Sequence, residues 1–417
     1  MKTKSIKKID DDNLSSNIIL LATTAVFHVI LIFHPKIISW FYQSEIGGSL
    51  IAFFLIVLFG ILFYSQNNPL RFTKKNKIIK KMESLDLQRL INLFLLFTIP
   101  ISILGIITRI WVIQSIPLDS KIADVLPLIE SAGRAFLQGY YPYQTYYVPH
   151  PLPLTFWPGL WMPFLPAIAF NFDPRWIGLI VWAIISIILI LYSIRVSKVR
   201  SSSIVLLISA INILLLQISP ELIAFQAYGH TFVLWLLLLI MGIALIEKRW
   251  LMSAILLGLV ISSRQTAIIF IPILFALWYH QIGWKKAIFI VVLSCLTFGI
   301  IAIPFLLVAP EQFISIPIQH YKELGEYYVS IGNAGKVFET IGFSYLIQKY
   351  WGSSALALIS AITVVGISLC SFIYVKSIKN FPLYVAFSIV LLTFFTPIPW
   401  RYEYFPALLF LMLANLV

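Results

Sequence analysis

Apolar residues come in runs of about twenty, separated by short polar stretches, and this pattern repeats along most of the chain. Such runs match the length a helix needs to cross a bilayer. They fall near 17–34, 49–65, 90–114, 176–194, 202–217, 231–246, 251–264, 266–280, 287–308, 353–375, 381–397 and 405–417. The pattern predicts an all-α polytopic membrane protein with about twelve transmembrane helices. The first run, Asn17 to His34, has no small-residue cleavage site and reads as an anchor. The run PLPLTFWPGLWMPFLPAIAF does not fit a span. It carries Pro151, Pro153, Pro158, Pro163 and Pro166, and prolines at that density break a spanning helix. It reads as a re-entrant or interfacial half-helix. Irregular backbone at membrane depth needs protein or a water-filled cavity to satisfy it, so a cavity is expected beside it.

Composition supports the membrane reading. Of 417 residues, 60% are hydrophobic and 11% charged, against about 45–50% and about 25% in ordinary soluble chains. The mean hydropathy is +0.93. Cys295 and Cys370 sit inside apolar runs without metal spacing and read as small buried hydrophobes.

The net charge of +13 suggests an acidic partner until the charges are sorted by loop. Lys2, Lys4, Lys7 and Lys8 lie in the N-terminal tail, and seven more cations lie between Arg71 and Arg89. Further clusters are Arg195/Lys198/Arg200, Lys248/Arg249, Lys285/Lys286 and Lys376/Lys379. Basic short loops face the cytoplasm. That placement puts twenty of the thirty cations and six of the seventeen acids inside, a net +14, and ten cations and eleven acids on the other face, a net −1. The charge therefore reports orientation, and nucleic-acid binding loses its motive. The N-terminus is expected in the cytoplasm and the active face outside, with the plasma (inner) membrane the expected location. The chain divides into a tail, two helices and a basic loop (1–89) and a main transmembrane body (90–417).

Two outer loops are long, 114–152 and 309–352, and long loops with polar and aromatic content carry function. In the first, apolar residues at Leu126, Ile129, Gly133 and Phe136/Leu137 predict an amphipathic helix from Val125 to Gln138, lying on the membrane surface. Asp124 stands just before it, where its spacing suits a helix N-cap first, with a general base facing the cavity as the functional alternative. Asp119 is the rival base. Glu130 and Arg134 are spaced as an i,i+4 pair. Five tyrosines (Tyr140, Tyr141, Tyr143, Tyr146, Tyr147) then lead to His150, either as interfacial residues or as platforms for sugar faces. Arg264, at the end of an apolar run, either snorkels to the interface or meets an anion with its planar fork. His230 occupies the start of a span. The second loop offers His320 beside Glu323 and Glu326, and Arg401 stands with Glu403 in the last outer turn.

Some of these residues resemble a family. The pattern Asp124-x14-Gly139-x-x-Pro142-Tyr143, followed by the Pro-rich half-helix, is similar to the first outer loop of GT-C superfamily glycosyltransferases. It is closest to glycosyltransferase family 87, the polyprenyl-phosphate-mannose-dependent type. Ser219-Pro220, then Gly229-His230-Thr231, a long apolar span, a basic turn at Lys248-Arg249 and a span ending in Arg264 extend the likeness over roughly residues 90–290. Histidine and arginine stand where the family usually has Gln and Lys. The resemblance implies a GT-C fold and transfer of a sugar, mannose first, from a polyprenyl-phosphate-linked donor to a lipid or glycan acceptor. It implies an inverting mechanism with Asp124 as the catalytic base, and Arg264 and His230 binding the donor phosphate. Asp119, Glu130, Arg134, Tyr143, His150, Arg175, His320 and Arg401 would line the substrate. Membrane lipids are the remaining expected partners. No cofactor is expected, and no ligand set suggests a divalent metal, although superfamily members differ in metal dependence. A lipid or glycolipid transporter, or a ligase that transfers a whole lipid-linked glycan, shares many spans and buried cations and remains an alternative.

Overall fold

Each of the twelve apolar runs contains a helix in the computed structural model, which describes residues 19–30, 46–67, 86–120, 123–200, 203–332, 341–398 and 401–417. The N-terminal lysines, the basic segment 71–81 and the side chain of Arg401 lie outside the described residues. The chain opens with α1 (Ile19–Ile30), α2 (Gly47–Asn67) and α3 (Leu87–Ser115). Asp86 caps α3 by accepting from the Gln88 amide at 3.2 Å.

The amphipathic helix α4 (Val125–Leu137) forms as the apolar spacing predicts and ends where Gly139 takes φ +84°. The next segment was expected to hold one half-helix. Instead it opens with a short antiparallel ribbon, β1 (Thr145–Tyr147) against β2 (Pro151–Pro153), and continues as two helical fragments, α5 (Pro158–Trp161) and α6 (Leu165–Ala169). The prolines account for the fragmentation, since each removes a donor and limits the run that can precede it. The spanning helix is thus absent here, as the sequence requires.

Then come α7 (Arg175–Arg200), α8 (Ser203–Ile218), α9 (Pro220–Ala224), α10 (Phe232–Ile246), α11 (Trp250–Ile261), α12 (Phe270–Ile282) and α13 (Trp284–Val308). Ser219 ends α8 and caps α9, accepting from Leu222 at 3.3 Å with Pro220 in the first turn. The two helices bend by 50° at this point. The last third holds α14 (Pro310–Ser330), α15 (Ser344–Tyr374), α16 (Phe381–Thr393) and α17 (Phe405–Leu416). The span expected at 353–375 begins earlier, because α15 includes a turn before Gly352, whose φ of +78° breaks the helix.

Among the described residues, six helices are long and apolar enough to cross a membrane, or seven if the bent pair counts as one span; five further apolar helices have 10–17 residues. The protein is therefore an all-α integral membrane protein. Cys295 and Cys370, expected to be buried, are both exposed. They point outward from α13 and α15, and the apolar surroundings their sequence context called for are those of lipid.

Polar contacts fall at two opposite ends. At one, Glu247 pairs with Arg195 at 2.6 Å and Arg249 at 2.8 Å, Arg200 donates to the Val417 carbonyl, and His280 and Gln281 meet carbonyls of Phe372 and Lys376. At the other, Gly342 joins Gly48, Phe343 joins Phe394, and Arg264 joins Glu403. The first end collects basic clusters read as cytoplasmic, at 195–200, 248–249 and 376–379. The two N-terminal helices pack on the last three. Phe59 and Phe63 of α2 contact Phe387 of α16 with ring centres 5.6 and 5.5 Å apart, and Asn415 of α17 donates to Thr24 at 3.4 Å. Both sections share one apolar core.

Candidate functional site

The end opposite the basic loops carries the candidate site, built where α11 gives way to α12. Ser262 and Ser263 turn the chain by bonding back to the Leu259 carbonyl at 2.7 and 3.0 Å. Arg264 follows in extended conformation. Gly159 of α5 packs directly on this turn, its amide donating to Ser262 at 2.8 Å. A β-carbon there would come within 2.9 Å of the Ser262 carbonyl carbon, so the close approach requires glycine.

Arg264 reaches Glu403 at 2.8 Å, and both side chains are only 12% exposed. Burial works against the guanidinium charge, but Glu403, Tyr402 and Tyr321 together outweigh it and hold the arginine firmly charged. The pair stands at the head of a small cavity between α10, α12 and α16. Thr231, Thr266, Thr393 and Thr396 line it near the ion pair, and Trp235, Leu238, Ile389 and Leu392 line its apolar depth. Thr231 and Leu238 are seven residues apart along α10, so the cavity runs about 10 Å into the bundle. The Thr231 hydroxyl is buried and makes no hydrogen bond.

Beside the pair, His230 is buried among the rings of Phe156, Tyr402 and Phe225, at centroid distances of 5.0, 5.4 and 6.5 Å. Neither ring nitrogen meets a partner with full hydrogen-bond geometry, the Tyr228 backbone coming closest to doing so. Burial, and then the Arg264 charge, press its pKa down to about 3; the Tyr228 backbone opposes this slightly. The imidazole is neutral at physiological pH. Between pH 6.5 and about 3 the unfolded chain takes up a proton that the folded protein refuses. The contribution to stability is therefore full above pH 6.5 and is lost as the pH falls toward 3. The melting temperature of wild type should drop across this window in detergent. His230→Phe, which fills the aromatic cage without a titrating group, should flatten that drop.

Asp124 occupies the N-cap position of α4, but its carboxylate makes no capping bond. The capping role suggested by its position is therefore not taken up. Its charge instead reaches His320, Tyr328 and Tyr402, from α14 and from the turn carrying Glu403. Tyr328 is pushed up to about 12 by burial, with Asp124 and Tyr327 adding to the effect. His320 is lowered by burial, with Glu323 and Asp124 opposing and His150 assisting. Helix α14 roofs the site: Trp157 stacks on Phe313 at 5.4 Å, and the hydroxyls of Tyr321 and Thr155 lie 3.3 Å apart. Gln265, next to Arg264, donates to the Thr155 carbonyl at 2.9 Å. Four stretches distant in sequence, the Pro-rich segment, the Arg264 turn, α14 and the Glu403 turn, thus meet at one place.

Other expected substrate residues are committed elsewhere. Arg175 is buried and clamps α3 to α7. It pairs with Asp173 at 2.6 Å and donates to the Ile116 and Ile113 carbonyls at 2.6 and 3.0 Å. Glu130 and Arg134 form the expected pair at 2.7 Å, and Arg134 also holds Asn171 at 3.0 Å on an exposed face. Tyr143 is buried, donating to Phe156 and accepting from Trp161. Tyr141 and Tyr146 likewise bond to backbone carbonyls, leaving Tyr140 and Tyr147 exposed. Asp119 and His150 lie in the loop flanking the site, half-buried and exposed respectively. No described group of three His, Cys, Asp or Glu side chains is placed to hold a metal ion.

Two features had no clear signal in the sequence. Glu403 gives no hint that it belongs to Arg264, 139 residues earlier. Arg109, counted above with the outer cations, is instead fully buried in the bundle, over the Trp182 ring at 4.2 Å.

Fold and site together define an all-α membrane protein with an amphipathic cavity headed by a buried ion pair. No protein-family model, curated protein or solved structure matches this chain.

Proposed function

We propose that the protein is a membrane glycosyltransferase of the GT-C type, with the five short apolar helices completing a body of about twelve spans. It would transfer a sugar, mannose in the first instance, from a polyprenyl-phosphate-linked donor to a lipid or glycan acceptor. By the positive-inside rule the site faces away from the cytoplasm, on the outer side of the plasma (inner) membrane.

One observation carries this reading. A carboxylate not used for capping, Asp124, lies within electrostatic reach of a turn whose neighbouring arginine heads a cavity that is polar at its mouth and apolar at depth. A lipid-linked sugar has the same profile. In the reaction Asp124 takes the proton from an acceptor hydroxyl, and the oxygen attacks the anomeric carbon. The carbon–oxygen bond to the lipid phosphate breaks with inversion, and the polyprenyl phosphate leaves with the bonding electrons. Arg264 lines the cavity and stabilises the charge developing on that leaving group. His230 is neutral and contributes shape and hydrogen-bonding capacity.

A lipid transporter is the second reading, supported by the broken α8–α9 pair and the cavity's apolar depth. Purified protein in liposomes separates the two. Given polyprenyl-phosphate mannose and membrane-lipid acceptors, a transferase yields a glycosylated product and free polyprenyl phosphate. A transporter moves labelled lipid between leaflets and makes neither.

A further inference from the structure

The lining of the cavity contains two charged residues, Arg264 and Glu403, and they neutralise each other at 2.8 Å. Among the described residues, no lysine or second arginine lines the cavity. The other described titratable groups that act electrostatically around the pair are Tyr402, which also lines the cavity, Tyr321, the neutral His230, and Asp124, which adds a further negative charge. An anion arriving at Arg264 while Glu403 stays in place would set two buried anions against one cation. Low-dielectric surroundings make that costly, because neither charge can be screened by water. Among the described charges, the least costly way for an anion to reach Arg264 is to take the carboxylate's place.

We propose that Glu403 is the internal occupant of an anion site. The phosphate of a lipid-linked ligand binds Arg264 by exchanging with the Glu403 carboxylate, and the ligand's sugar hydroxyls receive the carboxylate that is released. The surrounding groups suit both parts of this exchange. The guanidinium fork matches carboxylate and phosphate oxygens alike. The buried, unpartnered Thr231 hydroxyl offers a donor to whichever ligand group enters. Thr396 lies close enough to Glu403 to hydrogen-bond it, and so gives the carboxylate a second resting partner. The displaced charge is acceptable only with hydroxyls to bond it. A sugar-bearing lipid phosphate should therefore be held better than the bare lipid phosphate that remains after transfer. Glu403 is on this account a specificity-determining residue that also helps expel the product. The inference rests on the proposed lipid-phosphate donor.

The test uses purified wild type and Glu403→Gln in nanodiscs, with polyprenyl monophosphate and its mannosyl form as probes. Gln keeps the side-chain shape and removes the competing charge. The variant should bind bare polyprenyl monophosphate at least tenfold tighter than wild type, and should lose most of the wild-type preference for the mannosylated lipid. Unchanged or weaker binding of the bare lipid overturns the exchange and leaves Glu403 as a brace for Arg264. Because the variant could fold poorly, a second measurement needs no mutation. In a cryo-EM map of wild type saturated with polyprenyl monophosphate, Arg264 and Glu403 should be separated and the phosphate should lie on Arg264. An intact pair with lipid bound in the cavity overturns the exchange while the glycosyltransferase reading stands, provided wild type still transfers sugar. If wild type neither binds these lipids nor transfers sugar, that reading fails and the exchange fails with it.

Discussion

Asp124→Asn should lower sugar transfer by roughly 10²–10⁴-fold, the usual contribution of a positioned general base, with no loss of thermal stability. Asparagine has the shape of aspartate and is an equally good N-cap residue, so helix α4 has no reason to unfold. In any case the wild-type carboxylate makes no capping bond there. What the substitution removes is the ability to accept a proton. Its charge is also felt by His320 and Tyr328, so their titration should shift, which gives a spectroscopic check that the variant is folded around the same site. The measurement is product formation from a polyprenyl-phosphate sugar by wild type and variant at matched protein levels. Full activity in the variant would remove Asp124 from the mechanism and direct attention to Asp119.

The second large effect concerns stability. Arg109 is buried among α3, α7 and α8: it donates to the Gly105 carbonyl at 2.9 Å and approaches Gln217 and the Leu216 carbonyl at 3.5 Å. Gln217 is the centre of this group. Its oxygen accepts from Trp182 at 3.0 Å and its amide donates to Ser186 at 2.7 Å. The helices come so close here that a β-carbon on Gly105 would lie 2.2 Å from the Gln217 oxygen. Gln217→Leu leaves a buried cation and an indole N–H short of an acceptor, at a cost of about 2–4 kcal/mol. The melting temperature in detergent should fall by several degrees. Arg109→Met combined with Gln217→Leu removes charge and acceptor together and should recover much of that loss, as happens when buried polar groups are replaced as a set. A double variant as unstable as the single one would show that volume, not polarity, governs this crossing.

How much could be read beforehand depends on whether the signal was local. Helix α4 was legible because its apolar spacing and the Gly139 stop sit in one stretch of chain. The failure of residues 151–169 to span was legible because proline acts on its own backbone. The turn at Ser262–Arg264 was flagged because an arginine ending an apolar run is unusual wherever it falls. Arg109 was counted with the outer cations only because it belongs to no basic loop, and only the neighbouring helices show that it points into the bundle. The cysteines illustrate the limit of burial as a concept here. In a bilayer an apolar run faces lipid or protein equally well, and the sequence does not distinguish them. Arg175 and Tyr143 looked like ligand residues because they are polar and lie near the loop. Both satisfy backbone carbonyls, Arg175 those at the end of α3 and Tyr143 that of Phe156 in the Pro-rich segment.

The sequence by itself determined the class of molecule, the positions of its apolar helices and the clustering of its described basic loops at one end. These follow from hydrophobicity, proline chemistry and the cost of moving lysine and arginine across a membrane, all properties of short segments. Only the tertiary structure decided which charged residues meet. Glu403 neutralises Arg264, Asp124 faces α14 instead of capping its own helix, and Gln217 receives Arg109. Such pairings depend on which helix faces which, and that is set by packing between segments more than a hundred residues apart. The few charges left away from the basic loops were the open question in the composition. Their meaning lies in their partners, which the fold alone supplies.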